Sequence, residues 1–237
     1  MATVGPQTAV APQHEVQGKV DAWVREATRL HQRYMLEIVE HYGLCPWATR
    51  ARVGDHLRVE VCLQPDDTSL EPALAGLERW RVDSAMEVGF LLFPRLPLPR
   101  SDFDRFVGAI RTAESGRHEL GSAPFAMVGF HPEAAPVLDD AERLIPFLRR
   151  TPDPCIQVVR IDVLDRVRGT VPEGTQFVDL ALLEAAAAKP PELSVRERVG
   201  RTNLQTLRRI GVDEVRDRMD AIRLDRHTTY AKLGPVR

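Results

Sequence analysis

Lysine is nearly absent from this 237-residue chain. Lys19, Lys189 and Lys232 are the only lysines among 32 basic residues, and the other 29 are arginine. Acidic residues number 34, so the net charge is −2. Proteins held to nucleic acid by neutralising its phosphates are usually basic, so we expect no nucleic-acid partner. Arginine makes bidentate contacts with carboxylate or phosphate, which favours an anionic small-molecule substrate.

The chain also lacks long apolar runs. None reaches the roughly 20 residues of a membrane-spanning helix, and residues 1–13 lack the basic and apolar segments of a signal peptide. We therefore expect a cytoplasmic protein with no membrane partner. The glycine motifs of dinucleotide-binding proteins, P-loop proteins and serine hydrolases (GxGxxG, GxxxxGK[ST], GxSxG) are missing as well, so those classes have no sequence support.

Cysteine is scarce, with only Cys45, Cys62 and Cys155. Without an export signal, an odd number of cysteines predicts reduced thiols instead of a disulfide framework. The absence of CxxC spacing leaves a structural zinc site without a signature. The sequence therefore favours free thiols over a disulfide or a structural zinc site.

What the sequence does contain is typical of a globular protein, with 43% hydrophobic and 28% charged residues. Apolar residues spaced by three and four predict a long helix from Glu15 to Tyr42, ended by Gly43. Four segments predict strands: 57–63, 88–93, 125–130 and 155–161. Helices are predicted between them, two beginning with capping boxes at Thr68/Glu71 and Ser101/Asp104 and one spanning 139–150. The pattern indicates a single layered α/β or α+β domain, with a sheet of about four strands and helices packed on it.

The predicted organisation has three parts: a flexible tail over 1–14, an α/β core over 15–168 and a C-terminal helical extension over 169–237. The extension contains an alanine-rich stretch over 181–189. Two helices follow, beginning near Ser194 and Asp213 and separated by Gly211. They could dock on the core, or act as a lid or a dimer arm, and self-association is left open.

Cys45 is the first candidate for chemistry, because the turn Gly43–Trp47 places its thiol just past a helix end. The negative end of the helix dipole raises the pKa of a thiol there, so a reactive thiolate needs a cation or a metal nearby. His41, Arg50 and Arg52 are candidate neighbours in sequence. The Cys45-Pro46 dipeptide also suits an axial thiolate ligand of haem. A buried structural cysteine remains the alternative.

His131 and two arginines are the other candidates. His131 ends an apolar strand before a proline, where it could be an acid/base, a metal ligand or a clamp for the loop. Arg150 precedes a rigid Pro-x-Pro turn. Arg160 lies at the end of a strand and needs a carboxylate such as Asp139, Asp140 or Asp162, or a ligand anion. His31 and His41 are expected at the wet boundary of the first helix.

Three blocks resemble a bacterial domain-of-unknown-function family, family 1415. They are Gly43-Leu44-Cys45-Pro46-Trp47-Ala48, Gly129-Phe130-His131-Pro132 and Arg150-Thr151-Pro152-Asp153-Pro154. The likeness spans roughly 20–168, with a looser match around Asn203. Gly43, Trp47 and Thr151 depart from that family's usual Asn, Phe and Ser. The resemblance implies that Cys45, His131 and Arg150 form one recurring set, and it supplies no reaction.

Three functions follow as hypotheses. The first is a small-molecule redox enzyme built on the Cys45 thiolate, which is either the ligand of a haem or a reactive thiol. In it His131 is catalytic, and Arg150 and Arg160 bind substrate. The second is a metal-free transferase or hydrolase with Cys45 as nucleophile. The third is a non-catalytic binding or assembly protein that uses the Arg/Glu-rich C-terminal helices.

Overall fold

A computed structural model describes residues 13–45, 47–63, 68–134, 144–168 and 195–234. Residues 1–12 of the predicted tail, Asp139 and Asp140, and the alanine-rich stretch lie outside those residues, whereas residues 13 and 14, also predicted as tail, belong to a helix. The helices are α1 (Gln13–Tyr34), a π-helical continuation (Met35–Glu40), α2 (Ala48–Val53), α3 (Glu71–Val82), α4 (Arg100–Ser115), α5 (Ile145–Leu148), α6 (Ile161–Arg168), α7 (Val195–Ile210) and α8 (Val212–Leu233). The strands are β1 (Leu57–Val61), β2 (Val88–Leu92), β3 (Phe125–Phe130) and β4 (Cys155–Arg160).

The four strands form one mixed sheet in the order β1-β2-β4-β3. Strands β1 and β2 are parallel, and α3 connects them. Strand β4 is antiparallel to both β2 and β3 and lies between them. The ends of β1, β2 and β3 therefore meet the start of β4 at one edge of the sheet. This edge is where ligand sites gather in open α/β sheets.

Helices cover both faces of the sheet, because side chains on a strand alternate between its faces. Leu91 and Ile156 face a core formed with α3 and α4. Phe90 and Cys155 face a second core formed with α1, the π-helical segment and α8. The single layered domain with a four-stranded sheet is therefore confirmed. Among the described helices, none is long and apolar enough to cross a membrane.

The C-terminal helix α8 is fastened to the core by a buried carboxylate. Asp153, 2% exposed, lies just before β4 and accepts hydrogen bonds from Arg226 Nε (2.6 Å) and Tyr230 Oη (2.7 Å). Arg226 also donates to the carbonyl of Pro94 at the end of β2 (3.2 Å). The Tyr230 ring packs on Trp23 of α1, with 4.4 Å between the centroids. Of the predicted alternatives for these helices, the structure has α8 docked on the core.

Several local predictions were wrong. At the two predicted capping boxes within the described residues, no side-chain cap is formed: α3 begins after Leu70 and α4 after Pro99. The predicted first helix changes to π-helical geometry at Met35, and the short helix α2 was missed. Glycines at the helix ends were predicted correctly, since Gly43 and Gly211 both have positive φ, which costs glycine little.

Gly89 on β2 provides a test of this packing. A Cβ atom built there would lie 2.5 Å from Trp80 Cζ3 and 2.8 Å from Met86 Cε. We expect Gly89→Ala to lower the free energy of unfolding by about 1–3 kcal/mol, as overpacking of a core does. Gly108→Ala on α4 is the control, because nothing lies within 4 Å of its new Cβ and alanine gains about 0.5–1 kcal/mol in a helix. Urea denaturation measures both, and equal effects would contradict the packing described.

Candidate functional site

The Cys45 thiol lies between two helical segments. The π-helical segment ends at Glu40, and the chain turns through Gly43, whose φ is +63°. Helix α2 then begins at Ala48. π-Helical geometry is rare and is frequently found at functional sites. Cys45 itself is half-buried and packs against the core that contains Leu44 and Ala48.

Burial is the largest influence on the Cys45 thiol and raises its pKa. The backbone N–H groups of Trp47 and Ala48 act in the opposite direction and lower the pKa, although the Ala48 N–H itself donates to the Cys45 carbonyl oxygen (3.3 Å). The direction agrees with the sequence prediction, but the physical cause is burial and not the preceding helix. The resting thiol is therefore protonated at neutral pH.

The cationic neighbours expected for Cys45 are engaged elsewhere. Arg50 pairs with Glu87 (3.1 Å) and Arg52 with Glu40 (2.7 Å). Among the described residues, no charged side chain contributes to the pKa of Cys45. A base for the thiol must therefore come from the solvent or from a bound ligand.

A cleft of about 270 Å³ opens beside the Cys45 turn. One wall is the turn itself, with Gly43, Leu44 and Trp47, whereas Cys45 does not line the cleft and packs against the core. The other wall is one side of α7, formed by Arg198, Val199, Thr202 and Asn203. The cleft thus joins the first block of the family resemblance to the region around Asn203, where the looser match lies.

Asn203 is the polar group of the cleft that sequence reasoning left out of the site. Its side chain is only 6% exposed, yet its amide has no hydrogen-bond partner within the described part of the chain. The amide atoms keep contact with solvent through the cleft, since the His31 ring nitrogen is the only fully buried, unpartnered side-chain atom among the described residues. Burying a polar group without a partner is costly. An amide in this position is ready to bind a ligand.

Arg198 supplies the charge of the cleft. It is exposed on the first turn of α7 and forms no ion pair within the described ranges. Thr202 lies one turn further along, and its hydroxyl donates to the Arg198 carbonyl (3.0 Å). The cleft therefore has one free cation, one free amide and an apolar wall. In the sequence, the feature that marks this cleft is an asparagine within an amphipathic helix, flanked by arginines.

His131 does not share this cleft. Its Nε2 donates to the carbonyl of Leu98 (3.0 Å), and its Nδ1 accepts the N–H of Glu133 (3.2 Å). The ring is 5% exposed, and burial lowers its pKa, so the neutral form is held. Both nitrogens fasten two loops together, as the loop-clamp alternative required. A smaller cleft beside His131, lined also by Arg100 and Arg149, shares no residue with the Cys45 cleft.

The two predicted substrate arginines are also separate from the cleft. Arg150 Nε donates to the carbonyl of Pro132 (3.1 Å), and the guanidinium lies over the Phe147 ring. Arg160 donates to four carbonyls, of Trp80, Arg81, Asp83 and Met86, at 2.7 to 3.2 Å. It thereby satisfies the free carbonyls at the end of α3. The expected carboxylate or ligand anion is replaced by these backbone groups.

Cys62 and Cys155 differ from Cys45 in their burial. They are 3% and 0% exposed, and burial raises the pKa of each to about 12. Both belong to the packed cores on either side of the sheet. Cys45 is thus the least buried of the three cysteines.

Haem does not fit the cleft in its present shape. Pockets for drug-sized ligands measure roughly 300–1,000 Å³, and the space beside Cys45 is about 270 Å³, which suits a ligand well below porphyrin size. Within the described ranges, no group of three or more His, Cys, Asp or Glu residues is arranged to hold a metal ion.

Comparison with known proteins gives no relative. No family model, curated protein or solved structure matches the chain.

Proposed function

We propose that the protein is a small-molecule enzyme in which Cys45 is the reactive thiol and α7 binds the substrate. The observation that carries this proposal is Asn203, a nearly buried residue on the wall of the cleft beside the Cys45 turn, whose amide has no hydrogen-bond partner among the described residues. The nearby backbone N–H groups of Trp47 and Ala48 lower the pKa of the Cys45 thiol and so partly offset its burial. The resemblance to family 1415 remains a proposal that agrees with this site, because its first block contains Cys45.

Metal-free thiol chemistry is favoured over a haem enzyme, because the cleft is small. An absorbance scan of freshly purified protein separates the two. A Soret band that disappears in Cys45→Ala would support haem. A colourless protein that retains thiol-dependent activity would exclude it. The binding or assembly function is less favoured, because α8 is packed into the core and is not a free arm.

Iodoacetamide is expected to label Cys45 alone in the folded protein. Because burial raises the pKa of Cys45, the labelling rate should still rise by about tenfold per pH unit between pH 7 and 9, with no plateau. Peptide mass spectrometry at each pH measures the rate. Cys62 and Cys155 should react only after unfolding in urea, which is the internal control. A Cys45 that reacts as slowly as those two would contradict the proposal.

Turnover is the functional test. The purified protein is incubated with a small-molecule metabolite extract, and mass spectrometry records compounds consumed or formed. We expect Cys45→Ser to abolish the change and Cys62→Ala to retain it. If both variants still change the extract, Cys45 is not the reactive group. The same holds if both variants lose the change equally while their folding is unaltered.

A further inference from the structure

The Cys45 cleft is asymmetric in its chemistry, and this asymmetry points to a class of ligand. Arg198 is the one cation among the described residues of its walls, and it lies on the exposed first turn of α7. The positive end of the helix dipole lies there too. The Asn203 amide lies about one turn further along the helix, deeper in the protein. Among the described residues that line the cleft, none has an acidic side chain to compete for the arginine.

The remaining lining is largely apolar. Leu44, Trp47 and Val199 provide hydrocarbon surface between the two polar groups. A guanidinium binds a carboxylate through two parallel N–H···O bonds, and a neutral amide can donate a further one. A single guanidinium matches one negative charge, whereas a phosphate dianion is usually held by several cations or by a nest of backbone N–H groups. The volume of about 270 Å³ suits a small ligand, since one water takes about 30 Å³ of liquid volume.

We propose that the cleft binds a small monocarboxylate, with its charge on Arg198 and Asn203, and presents an electrophilic carbon of that molecule to Cys45. This inference rests on the proposed function, in which Cys45 is the reactive thiol. It adds the substrate class and assigns the roles of the two α7 side chains.

Two alkylating reagents of nearly equal size test the substrate class. Iodoacetate is a small carboxylate with an electrophilic carbon, and iodoacetamide is its neutral counterpart. Both react by the same step: the sulfur–carbon bond forms, the carbon–iodine bond breaks, iodide leaves and the thiol proton passes to solvent. The ratio of the two rates at Cys45, divided by the same ratio for N-acetylcysteine, isolates the effect of the carboxylate. The pKa of the thiol cancels in this ratio.

We expect the corrected ratio to favour iodoacetate by about fivefold, the size of a partly screened ion pair. Arg198→Gln should remove the preference and leave the iodoacetamide rate unchanged. Arg208→Gln is the matched control, since Arg208 is exposed on the last turn of α7 and does not line the cleft. Asn203→Leu should also lower the ratio. Raising the salt concentration should weaken the wild-type preference, because exposed charges are screened.

The outcomes separate the two proposals. A corrected ratio near one, unchanged by Arg198→Gln, overturns the carboxylate class and leaves the thiol enzyme standing. Failure of both reagents to label Cys45 in the folded protein overturns the proposed function itself. If Arg208→Gln reduces the preference for iodoacetate as much as Arg198→Gln does, the preference comes from the general charge of α7. The inference would then also fail.

Discussion

Lowering the pH from 8 to 5 is expected to reduce the free energy of unfolding by about 2 kcal/mol through His31 alone. The imidazole is 3% exposed, and its ring centroid lies 4.5 Å from that of Phe90. Its Nε2 is buried without a hydrogen-bond partner. Burial lowers the pKa of His31 from 6.5 to about 3, since no group compensates the cost of a buried charge.

The sign follows from the two pKa values. The unfolded chain takes up a proton on His31 below pH 6.5, while the folded chain resists it until about pH 3. The depressed pKa therefore contributes stability that is complete above pH 6.5 and is lost progressively as the pH falls toward 3. The carboxylates of Glu37, Glu40 and Asp225 have lowered pKa values, so they do not titrate in the folded protein between pH 8 and 5.

His31→Phe isolates this effect. The variant keeps a ring against Phe90 but cannot titrate, so its loss of stability from pH 8 to 5 should be about 2 kcal/mol smaller than that of the wild type. Urea denaturation at both pH values measures the difference within each protein, which removes any cost of repacking. His227→Gln is the control, because His227 is exposed on α8. A wild type and a His31→Phe variant with the same pH dependence would show that His31 is not buried.

Asp153→Ala is expected to lower the free energy of unfolding by about 3–5 kcal/mol, the usual cost of removing one partner of a buried ion pair. The change leaves the Arg226 guanidinium and the Tyr230 hydroxyl without their shared acceptor. It also weakens the attachment of α8 to the edge of the sheet, where Arg226 reaches the Pro94 carbonyl. Urea denaturation followed by circular dichroism measures the loss.

Two variants make this prediction specific. Asp213→Ala removes a carboxylate from α8 itself, but the Asp213 side chain is 84% exposed in its pair with Arg216. The loss in free energy of unfolding should therefore stay below about 0.5 kcal/mol. The double variant Asp153→Leu/Arg226→Met should recover part of the stability lost in Asp153→Ala, because it leaves no buried charge unpaired. A loss in Asp153→Ala no larger than in Asp213→Ala would contradict the buried network.

Much of the fold could be predicted because the signals are local. The apolar segments at β2, β3 and β4 and the glycines at positions 43 and 211 mark their elements through hydrophobic period and backbone freedom. The antiparallel insertion of β4 between β2 and β3 depends on contacts distant in sequence, so no local pattern reveals it. The capping-box predictions were wrong because the residues before the two helices are Leu70 and Pro99, and no side chain caps either helix there.

The candidate site shows the same division. Cys45 was found because its turn follows a predictable helix end. Asn203 could not be assigned a role, since an asparagine in an amphipathic helix is ordinary until its burial and missing partner are seen. His31 was expected at a wet boundary, and this was wrong: the sheet residue Phe90 covers it. The sequence could not predict that contact, which joins α1 to β2.

Access to Cys45 through the cleft is the central claim, and a blocked cleft tests it most directly. Thr202→Trp places a large ring on the exposed side of the α7 wall. Thr228→Trp is its match on α8, since both hydroxyls donate to the carbonyl four residues earlier and Thr228 does not line the cleft. We expect Thr202→Trp to slow iodoacetamide labelling of Cys45 by about tenfold or more, as burial of a reactive thiol does, with Thr228→Trp unchanged and both variants folded. Equal labelling rates in the two variants would contradict the claim that the Cys45 thiol is reached through this cleft.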